Sequence, residues 1–273
     1  MGPFPLRSAL ALALLLVFGE AAAGQEFRIF TRVTGVPLAA SGEEPKLLSR
    51  SLTLFHAGTV YDFVAAANEV TVFDPGNRRF TVLNTSRGQA TRIDFDQLER
   101  MIEASRQETG RYVAGGQAGT AAGSLQFQID PRFEERFDAD AGRLVLQSRY
   151  LTYDVRCAAA PSDLETDAIL NYADWTARLN HALQPQALFP AARIALDDSL
   201  RKKRRIPFDV ELTVDFGAPL HLRAEHRIDW QLHSSDRALI NKWQQQLRDA
   251  RTEFVSFSEY QRTALAAKPA KRE

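Results

Sequence analysis

The chain has 273 residues, with 34 lysines and arginines against 34 aspartates and glutamates, 45% hydrophobic residues and one cysteine. A formal charge of zero excludes a protein built chiefly to hold nucleic acid, which carries a basic excess. The apolar content excludes a disordered or fibrous chain, and a lone cysteine excludes an internal disulfide framework, so stability must come from a core.

Residues 1–23 have the layout of a secretory signal peptide: Arg7 as the positive segment, an apolar run from Ala9 to Phe18, then Ala21 and Ala23 at an A-x-A cleavage site before Gly24. The apolar run is about half the roughly twenty residues that a membrane span needs. No cysteine lies near the site to carry a lipid anchor, and no later run is long enough to cross a bilayer. The expected location is therefore periplasmic or secreted.

Segments 27–33, 51–56 and 59–64 are rich in β-branched and aromatic residues between turn signals and read as strands, with 37–46 as a loop. Residues 69–73 and 78–83 flank Asp74-Pro75-Gly76-Asn77 and form an expected hairpin, with Val72 opposite Phe80 and Val70 opposite Val82. Leu98, Met101 and Ile102 define a helix over 94–109, followed by a glycine-rich loop at 110–123. Leu125, Phe127 and Ile129 alternate as in a strand over 124–129, and 143–157 reads as one or two more, with Cys157 a small buried hydrophobe after Tyr153 and Val155.

Ser162 and Glu165 match a capping box, and Leu164, Ala168, Tyr172, Trp175, Leu179 and Leu183 then follow as one helical stripe. A third helix is expected over 190–204. Residues 206–216 and 220–230 alternate apolar and polar for their whole length around Gly217-Ala218-Pro219, so they form a hairpin with one buried and one wet face. The register that agrees on both faces sets Val214 opposite Leu222, Phe208 opposite Ile228 and Asp209 opposite Arg227. A fourth helix runs from Ser235 through Leu239, Trp243 and Leu247, with Phe254 as a candidate extension of its stripe, and 264–273 reads as a frayed tail. The pattern predicts an α+β fold: a curved antiparallel sheet of about nine strands with helices packed on one face, in a single domain over 24–263.

Motifs for catalysis or metal binding are weak. Gly115-Gly116-Gln117-Ala118-Gly119 lacks the lysine and hydroxyl residue of a phosphate loop, and Asp138-Ala139-Asp140-Ala141-Gly142 reaches a glycine where a calcium loop needs a ligand. His221 and His226 lie five apart on a strand and point to opposite faces, with His226 on the buried one. There is no G-x-S-x-G or S-x-x-K motif. No catalytic residue, metal ligand or cofactor is assigned. Arg201, Lys202, Lys203, Arg204 and Arg205 could contact an anionic partner or complement the end of the third helix, and Asn84-Thr85-Ser86 is a formal glycosylation sequon.

The strands Ser51–Phe55, Thr59–Val64, Val70–Pro75 and Arg79–Leu83, with their aromatic-then-aspartate steps, resemble the early strands of the outer-membrane lipoprotein carrier-like superfamily. The resemblance spans 50–83 and rests on strand rhythm. It implies a half-barrel sheet holding lipid, an acyl chain or a lipoprotein under helices, with Phe55, Tyr61, Phe63, Phe73 and Phe80 as the lining. The leading expectation is an exported non-catalytic binding protein. A cell-envelope interaction protein with a filled core is the alternative, and a hydrolase assembled only in three dimensions is the third reading.

Overall fold

Period-two segments assemble into one open sheet of twelve strands, ordered β12-β6-β5-β4-β3-β2-β1-β11-β10-β9-β8-β7. The computed structural model describes residues 26–37, 44–217 and 219–266, so the expected signal peptide and the end of the tail lie outside the described residues. The strands are β1 (Phe27–Pro37), β2 (Lys46–His56), β3 (Thr59–Val64), β4 (Glu69–Asp74), β5 (Arg79–Asn84), β6 (Gln89–Asp94), β7 (Glu134–Asp138), β8 (Arg143–Gln147), β9 (Leu151–Ala158), β10 (Ile206–Val214), β11 (Leu220–Asp229) and β12 (Glu253–Phe254). The helices are α1 (Phe95–Ala114), α2 (Ala122–Ile129), α3 (Asp163–Leu183), α4 (Pro190–Lys202), α5 (Ser234–Arg248) and α6 (Phe257–Ala266). Two meanders, β1 to β6 and β7 to β11, meet where β1 pairs with β11.

The α+β class holds, but three features of the expected sheet need correction. Three strands were not anticipated: β6 carries few apolar residues, β7 is nearly all charge, and β12 has two residues. Charge on β7 suits an edge strand, which must not template further pairing. The sheet is mixed, because β12 runs parallel to β6. Residues 124–129 belong to α2: their short alternation also fits a helix, and Ser124 and Phe127, three apart, are buried together. The glycine-rich stretch is likewise partly helical, since α1 runs on to Ala114.

Helices also occupy both faces. On the first, α1, α3 and α6 cover Phe27, Phe55, Phe73, Phe80 and Ile93, while α4 covers Tyr153, Val155 and Val210. On the second, α5 presses Ile240 and Trp243 onto Leu54, Tyr61, Val70, Val72 and Leu83. Its start is fixed by an ion pair from Arg28 to the buried Asp236 at 3.1 Å. Asp236 also accepts from the His233 backbone N–H, completing a capping box.

Two-sided burial explains the register of β4 and β5. Phe73 pairs with Phe80, and Val70 with Leu83, one residue away from the expected alignment. Residues 70–73 are apolar without interruption, so the pattern alone does not say which side chains face which way. The turn fixes it. Asn77 donates from its backbone and side chain to Asp74, at 3.0 and 2.7 Å, and Arg78 takes a left-handed φ of 50°.

The β10–β11 hairpin keeps the expected faces but shifts by two residues, with Leu212 opposite Leu222 and Val210 opposite Ala224. Phe208, expected inside, is 40% exposed, because a bulge between Pro207 and Asp209 turns it outward. Among the described residues no helix covers the second face here. Asp209 pairs with Arg223 at 2.7 Å, and Arg143 with Asp154, leaving a mixed-sign charged surface.

Candidate functional site

At the seam between the two halves of the core, the first face of the sheet and the helices α3 and α4 enclose a cavity of about 240 Å³. Its floor holds Thr31 of β1, Ser51 and Thr53 of β2, Asp62 of β3 and His226 of β11; its roof holds Tyr172, Thr176, Asn180 and Arg193. Ile29, Phe55 and Ile169 supply an apolar flank.

Strand alternation places the charged member of this set. Tyr61 and Phe63 point to the second face, so Asp62 between them must enter the first. Thr53, its direct cross-strand partner, donates to Asp62 Oδ1 at 2.7 Å. Burial raises the Asp62 carboxyl above its ordinary value, and the hydroxyls of Thr53, Tyr172 and Ser51 pull it partly back. None of the causes acting on it is a cation. Tyr172 is 9% exposed, and its hydroxyl is buried without a well-formed hydrogen bond among the described residues; burial first, and the nearby Asp62 carboxylate second, raise the phenol. Thr176 Oγ1 is unpartnered as well.

On the opposite wall, Arg193 Nε donates to both oxygens of Asp197, at 3.1 and 2.9 Å, one helical turn along α4. Asp197 is fully buried; burial raises its carboxyl while the guanidinium opposes the rise. His226 Nδ1 lies 2.9 Å from Thr31 Oγ1, and burial, helped by Arg193, pushes the imidazole down to about 4. The ring is therefore neutral at physiological pH. Among the described residues no carboxylate hydrogen-bonds His226, so the hydroxyl–imidazole pair lacks the orienting group of a nucleophilic triad.

The expected lining residues are divided between the faces. Phe55 lines the cavity. Phe73 and Phe80 share its face and pack in an aromatic cluster with Phe95 and Tyr172, ring centroids 5.1 to 5.7 Å from Phe73. Tyr61 and Phe63 lie on the other face against Trp243, and Tyr61 Oη accepts from Gln244 at 2.7 Å. A second, wider pocket of about 400 Å³ lies between the β2–β3 turn and the start of α3, sharing the Phe55 side chain with the first and bordered by Phe73 as well.

The basic run is largely engaged within the chain. Arg201 reaches Asp174 and Asp198 at 2.8 and 2.7 Å, Lys203 pairs with Glu135, and Arg204 lies 3.7 Å from Asp163. Cys157 is buried, and burial raises its thiol. Asn84 is 4% exposed; it donates to the Ala67 carbonyl and accepts from Ser86 and Arg87, which withdraws its side-chain amide from the surface. Asp138 caps its own turn through the N–H groups of Asp140 and Ala141. Among the described residues no group of three or more His, Cys, Asp or Glu could hold a metal ion, and no helix is long and apolar enough to cross a membrane.

Asp62, Tyr172, Arg193 and His226 were not assigned a site from the sequence. The one signal was Asp62, an acid set between aromatic residues on a strand whose neighbours are apolar. A scan against protein-family models and a search of curated proteins both found no match.

Proposed function

We propose that this chain is an exported, non-catalytic binding protein that holds a small amphipathic ligand between its sheet and α3 and α4, in the manner of half-barrel carriers. The observation that carries this reading is the seam cavity, with an apolar flank of Ile29, Phe55 and Ile169 facing a polar set that the chain leaves incompletely hydrogen-bonded. Buried polar groups are normally satisfied, and an unpaired one costs on the order of 1–3 kcal/mol, which a ligand or ordered water would recover. At about 240 Å³ the cavity is slightly smaller than the roughly 300 Å³ at which drug-sized pockets begin, so it suits a short chain or small head group. Export rests on the signal layout of residues 1–23.

Extraction and mass spectrometry of the purified mature protein test the binding reading, together with uptake of a short fluorescent fatty acid and of its amine counterpart. A stoichiometric extracted ligand, or saturable uptake of either probe, supports it. An empty extract with no saturable uptake overturns it. Recovery of a mature chain beginning at Gly24 from a secreting host tests export.

A further inference from the structure

We propose that the seam cavity selects organic monocations, a short alkylammonium above all, with the cationic nitrogen seated on Asp62. This deepens the binding reading and rests on it.

Charge balance is the first argument. Arg193 is matched by the buried Asp197, so that pair contributes no net charge. His226 is neutral at physiological pH. Of the charged residues on the lining, Asp62 and Arg193, Asp62 is left uncompensated, and among the described residues no cation acts on it. A carboxylate partly withdrawn from water without a counter-charge is disfavoured, so a cation entering the cavity is favoured and an anion is opposed.

Geometry is the second. An ammonium carries three N–H donors. Thr53 donates to Asp62 Oδ1 at 2.7 Å. The Ser51 and Tyr172 hydroxyls flank the same carboxyl, and Tyr172 Oη, in a side chain nine-tenths buried, has no well-formed hydrogen bond among the described residues. Asp62 Oδ2, Tyr172 Oη and Ser51 Oγ thus offer three acceptors for three donors. The rings of Phe55 and Tyr172 stand edge to face at 6.0 Å beside them, and aromatic surfaces of this kind favour a cation and shelter its alkyl chain.

Isothermal titration calorimetry of the mature protein at pH 7.5 with hexylammonium, hexan-1-ol and hexanoate tests the selectivity. Hexylammonium is expected to bind about tenfold or more tightly than hexanol, the size of effect a charge-assisted hydrogen bond gives, with hexanoate weakest. Asp62→Asn should erase the preference of amine over alcohol while leaving hexanol binding in place. Tyr172→Phe, which removes one of the hydroxyls beside the Asp62 carboxyl, should weaken the amine alone by several-fold and keeps the test open if Asp62→Asn fails to fold. Hexanoate binding as tightly as the amine, or an amine affinity within twofold of wild type in both variants, overturns the cation assignment while leaving the cavity a binding site. Saturable binding of none of the three probes removes the site, and the proposal with it.

Discussion

Lowering the pH from 8 to 5 should destabilise the protein through His226, by an amount that follows from its surroundings. The ring is held on β11 beneath Arg193 of α4, across from Asp62 of β3 and against the Thr31 hydroxyl, with the Asp209 charge of β10 acting on it from the other face of the sheet. Burial first, and Arg193 second, lower it from 6.5 to about 4. The unfolded chain therefore binds the proton at a higher pH than the folded one, and stability present above pH 6.5 is lost as the pH falls toward 4. Across the whole interval this amounts to about 3 kcal/mol, of which about 2 kcal/mol is gone at pH 5; both are upper values, because the ring is half-buried. Asp62 works in the opposite sense. Its folded carboxyl titrates above 3.8, so its contribution improves as the pH falls through that higher value. The assay is urea unfolding at pH 8, 6.5 and 5 for wild type and His226→Asn, which keeps a hydrogen-bonding atom near Thr31 and does not titrate. The variant should lose about 2 kcal/mol less than wild type between pH 8 and 5. Equal losses in the two proteins would refute the neutral, buried assignment of His226.

Three further outcomes follow from packing and pairing. Trp243→Ala empties the contact of α5 with Tyr61 and Phe63 and should cost about 3–5 kcal/mol in urea unfolding, with loss of much of the tryptophan fluorescence change. Arg193→Leu strands the fully buried Asp197 and should cost about 3 kcal/mol, whereas the Arg193→Leu/Asp197→Leu pair should recover most of it, as read by the unfolding midpoint. Expression in a glycosylating secretory host should yield a chain without a glycan at Asn84, since its side-chain amide is buried and bonded to the Ala67 carbonyl; intact mass checks it.

Long alternating segments were legible in the sequence, and short or two-sided ones were not. The β3 span was expected over its full length, and Ser162 caps α3 as its spacing implies, accepting from the Leu164 N–H at 3.1 Å. The α5 helix was anticipated from Leu239, Trp243 and Leu247, but not its side of the sheet, because an amphipathic stripe states that it needs cover without stating which surface provides it. That placement decided the β4–β5 register. Once α5 covers the second face, Val70 and Val72 can be buried there while Phe73 and Phe80 fill the first, and the uninterrupted apolar run stops being ambiguous. Of the aromatic residues expected to line a pocket, Phe55 borders the seam cavity and, with Phe73, the second pocket; Tyr61, Phe63 and Phe80 were chosen by type, while a cavity arises where packing is incomplete.

The seam was illegible because its residues come from five strands and two helices spaced across the chain. Its position still has a physical reason. On one side the aromatic cluster around Phe73 closes over the sheet, and on the other Leu144, Val155, Leu196 and Val210 do so with aliphatic side chains. The α3 helix sends Ile169 to the first cluster and Leu170 to the second, and beneath it the sheet presents Thr31, Thr53, Asp62 and His226 where apolar residues would join the two cores. If that polar floor served the fold, replacing it would be costly. If it serves a ligand, the chain should tolerate its loss, since exchanging both members of a buried hydrogen-bonded pair for apolar groups of similar shape is close to neutral or stabilising. The double variant Thr53→Val/Asp62→Leu separates the two. Unfolding in urea at pH 7.5 is expected to show unchanged or higher stability, by up to about 1–2 kcal/mol, together with loss of hexylammonium binding. A loss of stability above about 1 kcal/mol would show that Asp62 and Thr53 hold the sheet itself, and the seam would then be a structural polar cluster.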